Sequence, residues 1–287
     1  MSFRAAQLLS VLLGCVALAA EPHAHGGPQQ GEAAGAAQGP EESDAGSAVP
    51  AHQKHPVDPR PPAPKGKSVE LGSPGARTST AYVARPKGAP RGSLLVVHEW
   101  WGLNDWVKSE ADRYAGQGYL VLAVDLFGGQ VATTAEEAQK LMSALDQKAA
   151  TEIEVAGVEW LARALPGKKI ATLGWCMGGG HSLNASLASG GKVGATVIYY
   201  GLPVTDVNLL RKLQGPVLGV WAKRDGWITP EKVAAFDLAL RDAGIKHEFR
   251  SYDADHAFAN PSGGRYNPPA AKDANEATRR FLKSVLK

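Results

Sequence analysis

The stretch "LGWCMGGG", Leu173 to Gly180, decides the fold. It has the rhythm of the motif Gly-x-Ser-x-Gly, with Cys176 where the serine would stand. The run before it, Lys169 to Gly174, reads as a buried strand, and Gly178 to Ser189 as a helix. Cys176 therefore falls on a tight strand-to-helix turn. Gly174 and Gly178 permit such a turn because neither places a Cβ where chain packs on chain. Two readings stand for the thiol at this point: a nucleophile pushed into a pocket, or a small apolar residue filling a core gap.

Working outward, apolar strands alternate with amphipathic helices. Ser68–Leu71 and Thr78–Arg85 read as a hairpin, with its turn near Ser73-Pro74-Gly75. Ser93–His98, "SLLVVH", suits a buried parallel strand, and so does Tyr119–Val124. Val193–Tyr199, Pro216–Ala222 and His247–Tyr252 are further strands. Helices are predicted over Asp105–Gln117, Thr134–Ala149, Thr151–Leu165, Pro230–Ala243 and Ala270–Leu286. Thr133 or Thr134 with Glu137 fits a capping box. Pro230 opens one helix and Gly244 stops it. This alternation implies an α/β sandwich with a mostly parallel central sheet and helices on both faces.

In such folds ligands bind beyond the carboxyl ends of the strands. Glu99 follows "SLLVVH", Asp125 follows "LVLAV", Cys176 follows "KIATLGW", Asp225 follows "VLGVWAKR", and His256 follows "HEFRSYDAD". Cys176, Asp225 and His256 thus occur in the chain order of an α/β-hydrolase triad. A thiol with an ordinary pKa of about 8.5 needs a base within hydrogen-bond reach. His256 is the candidate, and Asp225 can hold its far nitrogen. The Met177 amide, at the turn, can meet an oxyanion. Each residue also has a bland reading. Asp225-Gly226 can be a simple turn, His256 a loop histidine, Glu99 a salt-bridged carboxylate. Asp125 is read as a cap of local backbone, and His181 as a structural donor on the elbow helix. Six of the seven tryptophans (Trp100, Trp101, Trp106, Trp175, Trp221, Trp227) fall at or near strand ends, either as a pocket wall or as filler between loops and sheet.

Composition bounds the rest. The 287 residues carry a net charge of +3 with no long basic block, which argues against a nucleic-acid surface and for a small-molecule ligand. Residues 1–20, with Arg4 ahead of an apolar run, read as an export signal. Leu12-Leu13-Gly14-Cys15 resembles a bacterial lipoprotein box, so cleavage after Ala19 and lipidation of Cys15 both stand. Residues 21–67 are rich in Ala, Gly, Pro and His and read as a disordered tether, with His23, His25, His52 and His55 as solvated polar residues rather than a metal site. Residues 68–287 form the folded domain. Of the two cysteines, one lies in the leader. The exported domain then holds a lone thiol, a liability in an oxidising compartment unless it has a use.

"VVHEWWGLNDW", "GQGYLVLAVDLFGG", "LGWCMGGG", "KRDGWITP" and "DADHAFAN" together resemble the dienelactone hydrolase family of α/β-hydrolases, over roughly Arg77 to Lys287. The resemblance implies a triad of Cys176, His256 and Asp225. It implies that Glu99 sits beside the thiol and helps generate the thiolate. It also implies that the Trp100 and Met177 amides form the oxyanion hole, that no metal or organic cofactor is needed, and that the protein is a monomer. The sequence departs from the family where Asn260 replaces an arginine that grips a substrate carboxylate; a second family arginine has no counterpart in "LFGGQVATT".

These readings converge on an exported, cysteine-dependent hydrolase of a carboxylic ester or lactone, acting through a thioester on Cys176. Trp101, Trp227 and Asn260 are expected to line its substrate pocket. The alternative is a non-catalytic, envelope-tethered binding module on the same fold. A peroxide-reactive thiol is disfavoured because no second cysteine is available to resolve a sulfenic acid.

Overall fold

The computed structural model describes residues 61–72 and 79–286. The leader, Cys15, the four histidines of the tether and the turn at Ser73–Gly75 lie outside the described residues.

Eight strands form one sheet in the order β1-β2-β4-β3-β5-β6-β7-β8. They are β1 (Lys67–Leu71), β2 (Ser79–Ala84), β3 (Ser93–Val97), β4 (Leu120–Val124), β5 (Ile170–Trp175), β6 (Val193–Tyr199), β7 (Val217–Ala222) and β8 (His247–Tyr252). β1 and β2 are antiparallel to their neighbours, and β4, β3, β5, β6, β7 and β8 run parallel. β1 begins at Lys67, and the Lys65 amide already donates to Asp112 at 2.8 Å. The folded body therefore starts slightly before Ser68.

The helices are α1 (Asp105–Gly116), α2 (Ala135–Ser143), α3 (Gln147–Ala164), α4 (Met177–Ala188), α5 (Val207–Leu210), α6 (Pro230–Asp242) and α7 (Pro268–Val285). Strand alternation sorts them onto two faces. Leu94 and Val96 of β3 pack with α1 and α7, whereas Leu95 and Val97 pack with α3 and α4. Farther along the second face, Val217 and Trp221 of β7 pack on Leu183 of α4 and Phe236 of α6.

Side-chain caps set the helix starts. Asn104 accepts from Val107 at the head of α1, and Thr134 with Glu137 completes the capping box of α2. α3 corrects the sequence reading. Asp146 accepts from the Lys148 and Ala149 amides at 2.9 and 3.2 Å, so the helix begins at Gln147 rather than Thr151. The cap at Asp146 splits what read as the end of one helix from the start of the next. α5 is an element the sequence reading lacks; Asp206 caps it.

The chain leaves β3 for β4 on one side, then returns to β5 on the other. The carboxyl ends of β3 and β5 therefore flank the point where strand order reverses, the place where open α/β sheets form their crevice. Glu99 and Cys176 are carried there.

Candidate active site

The site is built on the elbow between β5 and α4. Cys176 adopts φ +55°, ψ −122°, a conformation that costs a residue with a Cβ about 1–3 kcal/mol. Its neighbours hold it there. The Cys176 amide donates to Tyr199 O at 3.0 Å, and its carbonyl accepts from Gly179 at 2.9 Å. A Cβ on Gly174 would stand 1.9 Å from the Gly178 carbonyl oxygen. One on Gly178 would stand 2.3 Å from Val97 O and 2.4 Å from His98 O. Only glycine at both positions lets the elbow close against the ends of its own strand and of β3.

Cys176 as a residue is half-buried, and the amides of Met177 and Trp100 and the carboxyl of Glu99 act on its sulfur. Burial raises its pKa first, with the charges of Glu99 and Asp225 adding to it. The two amides pull the other way. At rest this is a protonated thiol. The amides that the family resemblance assigned to an oxyanion hole are thus the two that act on the sulfur.

Glu99 is buried (2 % exposed). Its Oε2 accepts from Asn260 Nδ2 at 2.6 Å, and Oε1 has no hydrogen-bond partner. Burial raises its pKa to about 7, with the Asn260 amide opposing. A carboxyl poised there can take a proton as readily as give one. Asn260 thereby supports Glu99. Its Nδ2 is spent on Glu99, its Oδ1 accepts from the Ser262 amide at 2.8 Å, and the side chain is buried.

His98, missing from the sequence reading, fixes the backbone beneath Glu99. The Leu126 amide donates to His98 Nε2 at 3.0 Å, so the ring proton is on Nδ1, which donates to Glu99 O at 2.6 Å. Burial lowers its pKa to about 4, keeping it neutral. It looked like the last residue of an apolar strand, and only its place next to Glu99 marked it.

On the other side of the crevice, Asp225 and His256 form a pair. His256 Nδ1 donates to Asp225 Oδ2 at 2.6 Å, leaving Nε2 free to accept a proton. Asp225 Oδ1 accepts from the Trp227 and Ile228 amides, each at 2.9 Å. Burial works against its charge, but His256 and these amides outweigh it and hold its pKa below the ordinary value. Asp225 is therefore more than a turn residue. No hydrogen bond joins Cys176 to His256: the sulfur lies with Glu99, Trp100 and Met177, and the imidazole lies with Asp225.

Other expectations sort cleanly. Asp125 caps backbone, accepting from Phe127 and Gly129. His181 donates to or accepts from Glu154 at 2.5 Å within the buried α3–α4 contact. Trp106, Trp175 and Trp221 are core filler. Trp100 and Trp101 stand edge to face at the rim, and Trp227, 59 % exposed, sets its ring edge-on 5.1 Å from His256. A cleft of about 630 Å³ between Lys65, Arg85, Lys87, Arg91 and Asp112 lies at the opposite ends of the strands and shares none of these groups. Among the described residues no cluster of side chains is arranged to hold a metal ion.

Comparison with known proteins agrees with this architecture. The profile described as "Dienelactone hydrolase family" matches residues 79–286. A protein of Saccharolobus solfataricus named "Putative carboxymethylenebutenolidase" is 30% identical over 262 residues, covering 77% of this chain and 99% of the relative. One of the same name from Aquifex aeolicus is 29% identical over 233 residues, covering 77% and 100%. Among solved structures, a Klebsiella pneumoniae protein described as a "Putative Dienelactone Hydrolase" superposes with a TM-score of 0.66 at 26% identity, over 76% of this chain and 98% of that one.

Proposed function

This chain belongs to the dienelactone hydrolase family, and on that premise we propose that it hydrolyses a carboxylic ester or lactone through a thioester on Cys176. The observation that carries the proposal is the Cys176 sulfur resting on two backbone amides at a strained elbow, beside a carboxyl whose pKa is about 7.

The substrate carbonyl oxygen displaces the sulfur from the Trp100 and Met177 amides. Glu99 takes the thiol proton as the sulfur leaves, so the thiolate forms only when substrate is present. The thiolate swings toward His256 and attacks the carbonyl carbon. The tetrahedral oxyanion is held by the two amides. The proton taken from the thiol passes by way of Glu99 and His256 Nε2, with Asp225 on Nδ1, to the departing alkoxide. His256 then draws a proton from water, which attacks the thioester; that proton passes to the departing sulfur of Cys176, restoring the thiol and freeing the acid. The separation of Cys176 from His256 at rest supports this order: a thiol parked against amides is inert until a carbonyl replaces it.

The proposal includes export by residues 1–20 and a monomeric state. No described helix is long and apolar enough to cross a membrane. Lipidation of Cys15 is tested by membrane fractionation of Cys15→Ala against wild type.

The test of the activity is a panel of esters and lactones, beginning with a simple aryl acetate. Turnover is expected, together with its near-complete loss in Cys176→Ala. An equal rate in that variant would end the proposal.

A further inference from the structure

Tyr200 follows Tyr199 at the carboxyl end of β6 and is fully buried. Its φ is +37°, a left-handed conformation that costs a residue with a Cβ about 1–2 kcal/mol. Its amide donates to Val220 O at 2.7 Å. This backbone fixes the aromatic ring 5.1 Å from the His256 ring and 5.5 Å from Phe258.

Packing alone does not call for the hydroxyl. Phenylalanine would fill the same space without burying an O–H that makes no hydrogen bond, an arrangement that costs about 1–3 kcal/mol. Yet among the described residues the Tyr200 hydroxyl, whose oxygen is within reach of the Ala259 amide, has no acceptor for its own proton, and the buried Glu99 Oε1 has no donor. An unpaired proton and an unpaired acceptor thus lie in one site. The groups that act on the phenol are Glu99 from the end of β3, Cys176 from the end of β5 and Tyr199 on its own strand, with the Ala259 amide opposing them. Burial and these charges raise its pKa well above the ordinary range, so it keeps its proton and can only donate or accept a hydrogen bond. The His256 ring lies 5.1 Å from the Tyr200 ring, tilted by 59°.

We propose that Tyr200 is a positioning residue for thiol activation: its hydroxyl donates to Glu99 Oε1 while that oxygen is charged and releases it when Oε1 takes the Cys176 proton. The phenol proton never transfers. The inference rests on the role proposed for Glu99, and it explains why the oxygen not held by Asn260 is the one that exchanges a proton with sulfur.

The experiment follows Cys176 alkylation by iodoacetamide against pH in wild type, Tyr200→Phe, Glu99→Gln and the double variant. Loss of the donor disfavours the carboxylate. In Tyr200→Phe the apparent pKa of the Glu99–Cys176 pair should therefore rise by about one pH unit. In the Glu99→Gln background Tyr200→Phe should change nothing further. Superimposable wild-type and Tyr200→Phe profiles, or an undiminished effect in the Glu99→Gln background, would overturn the proposal. Should Tyr200→Phe not fold, the chain labelled with 3-fluorotyrosine gives a second reading. One fluorine resonance should titrate with the pair and stop titrating in Glu99→Gln; no such resonance, or one indifferent to Glu99→Gln, overturns it. Neither readout uses an ester, so an inert ester panel and a failed Tyr200 test are separate outcomes.

Discussion

Asn260 donates to Glu99 across 161 residues of sequence, at 2.6 Å, tying the loop after β8 to the end of β3. The bond favours the carboxylate, whereas burial favours the acid, and their balance leaves the pKa at about 7. Replacing Asn260 with leucine removes the donor that Oε2 has among the described residues. The Glu99 pKa should then move upward, and the acid limb of the kcat/KM profile should move to higher pH with it. A pH–rate series on an aryl acetate checks this; an unmoved limb would mean that Glu99 does not govern the rate.

Glu99 also has a stability consequence whose sign is opposite to that of a salt-bridged acid. Its folded pKa of about 7 lies above the ordinary 4.5, so the folded state holds the proton more tightly. The associated stability is fully present below pH 4.5, declines as pH rises, and is gone above pH 7. The gap corresponds to about 3 kcal/mol. Glu99→Gln, which mimics the protonated form, should be the more stable protein at pH 8 by that order and should lose its advantage near pH 4. Urea unfolding at the two pH values measures both.

Asp225 works the other way. Its pKa is lowered in the fold, so it stabilises above the ordinary carboxylate range, and that contribution is lost as pH falls through the folded value. Asp225→Asn can still accept from the Trp227 and Ile228 amides, so the turn should survive. What it cannot do is hold the Nδ1–H tautomer of His256. A fall in kcat of roughly 10³–10⁴ is expected, with a loss of stability at neutral pH that disappears at acid pH.

His98→Ala should act on both counts. The Leu126 amide loses its buried acceptor, at a cost of about 1–3 kcal/mol. The Glu99 carbonyl loses its anchor, and with it the aim of the adjoining Trp100 amide. A drop in kcat of roughly 10- to 100-fold with KM nearly constant is expected, because the misplacement acts on the chemical step. Steady-state kinetics separates the two constants.

Gly178→Ala places a Cβ 2.3 Å from a backbone oxygen of β3. Backbone cannot turn aside as a side chain can, so β3 or α4 must shift. Destabilisation of about 3 kcal/mol or more is expected, read from the thermal midpoint.

The sheet was legible because β3, β4 and β7 are mostly apolar runs, as a doubly covered parallel sheet demands, while β8, HEFRSY, shows the alternation of an edge strand. β6 and β8 fall where the sequence puts them. The start of α3 was not legible, because helical periodicity runs on both sides of Asp146 and only the hydrogen bonds to its side chain show the break. In the site, Glu99, Cys176, Asp225 and His256 announce themselves by following strands. His98 and Tyr200 do not: His98 reads as the last residue of its strand and Tyr200 as one more aromatic just past Tyr199, and the use of each depends on contacts between chain segments far apart in sequence. The tryptophans divided for a similar reason. Residue type alone does not tell a ring turned inward, like Trp175, from one at the rim, like Trp227.

Among the described residues, the non-glycine positions with left-handed backbone are Cys176, Tyr200 and Ala257, and all three border the crevice. Glycine at Ala257 would relax the chain where it is most tightly wound, whereas at Tyr200 it would also empty the space of a fully buried ring. A search for heat-resistant variants should therefore drift toward the relaxed form at Ala257, and the survivors should be sturdier proteins and poorer enzymes. Durability and turnover pull against each other at a few residues rather than across the whole sheet, so an engineer can reinforce the helices and outer strands freely and should leave this rim untouched.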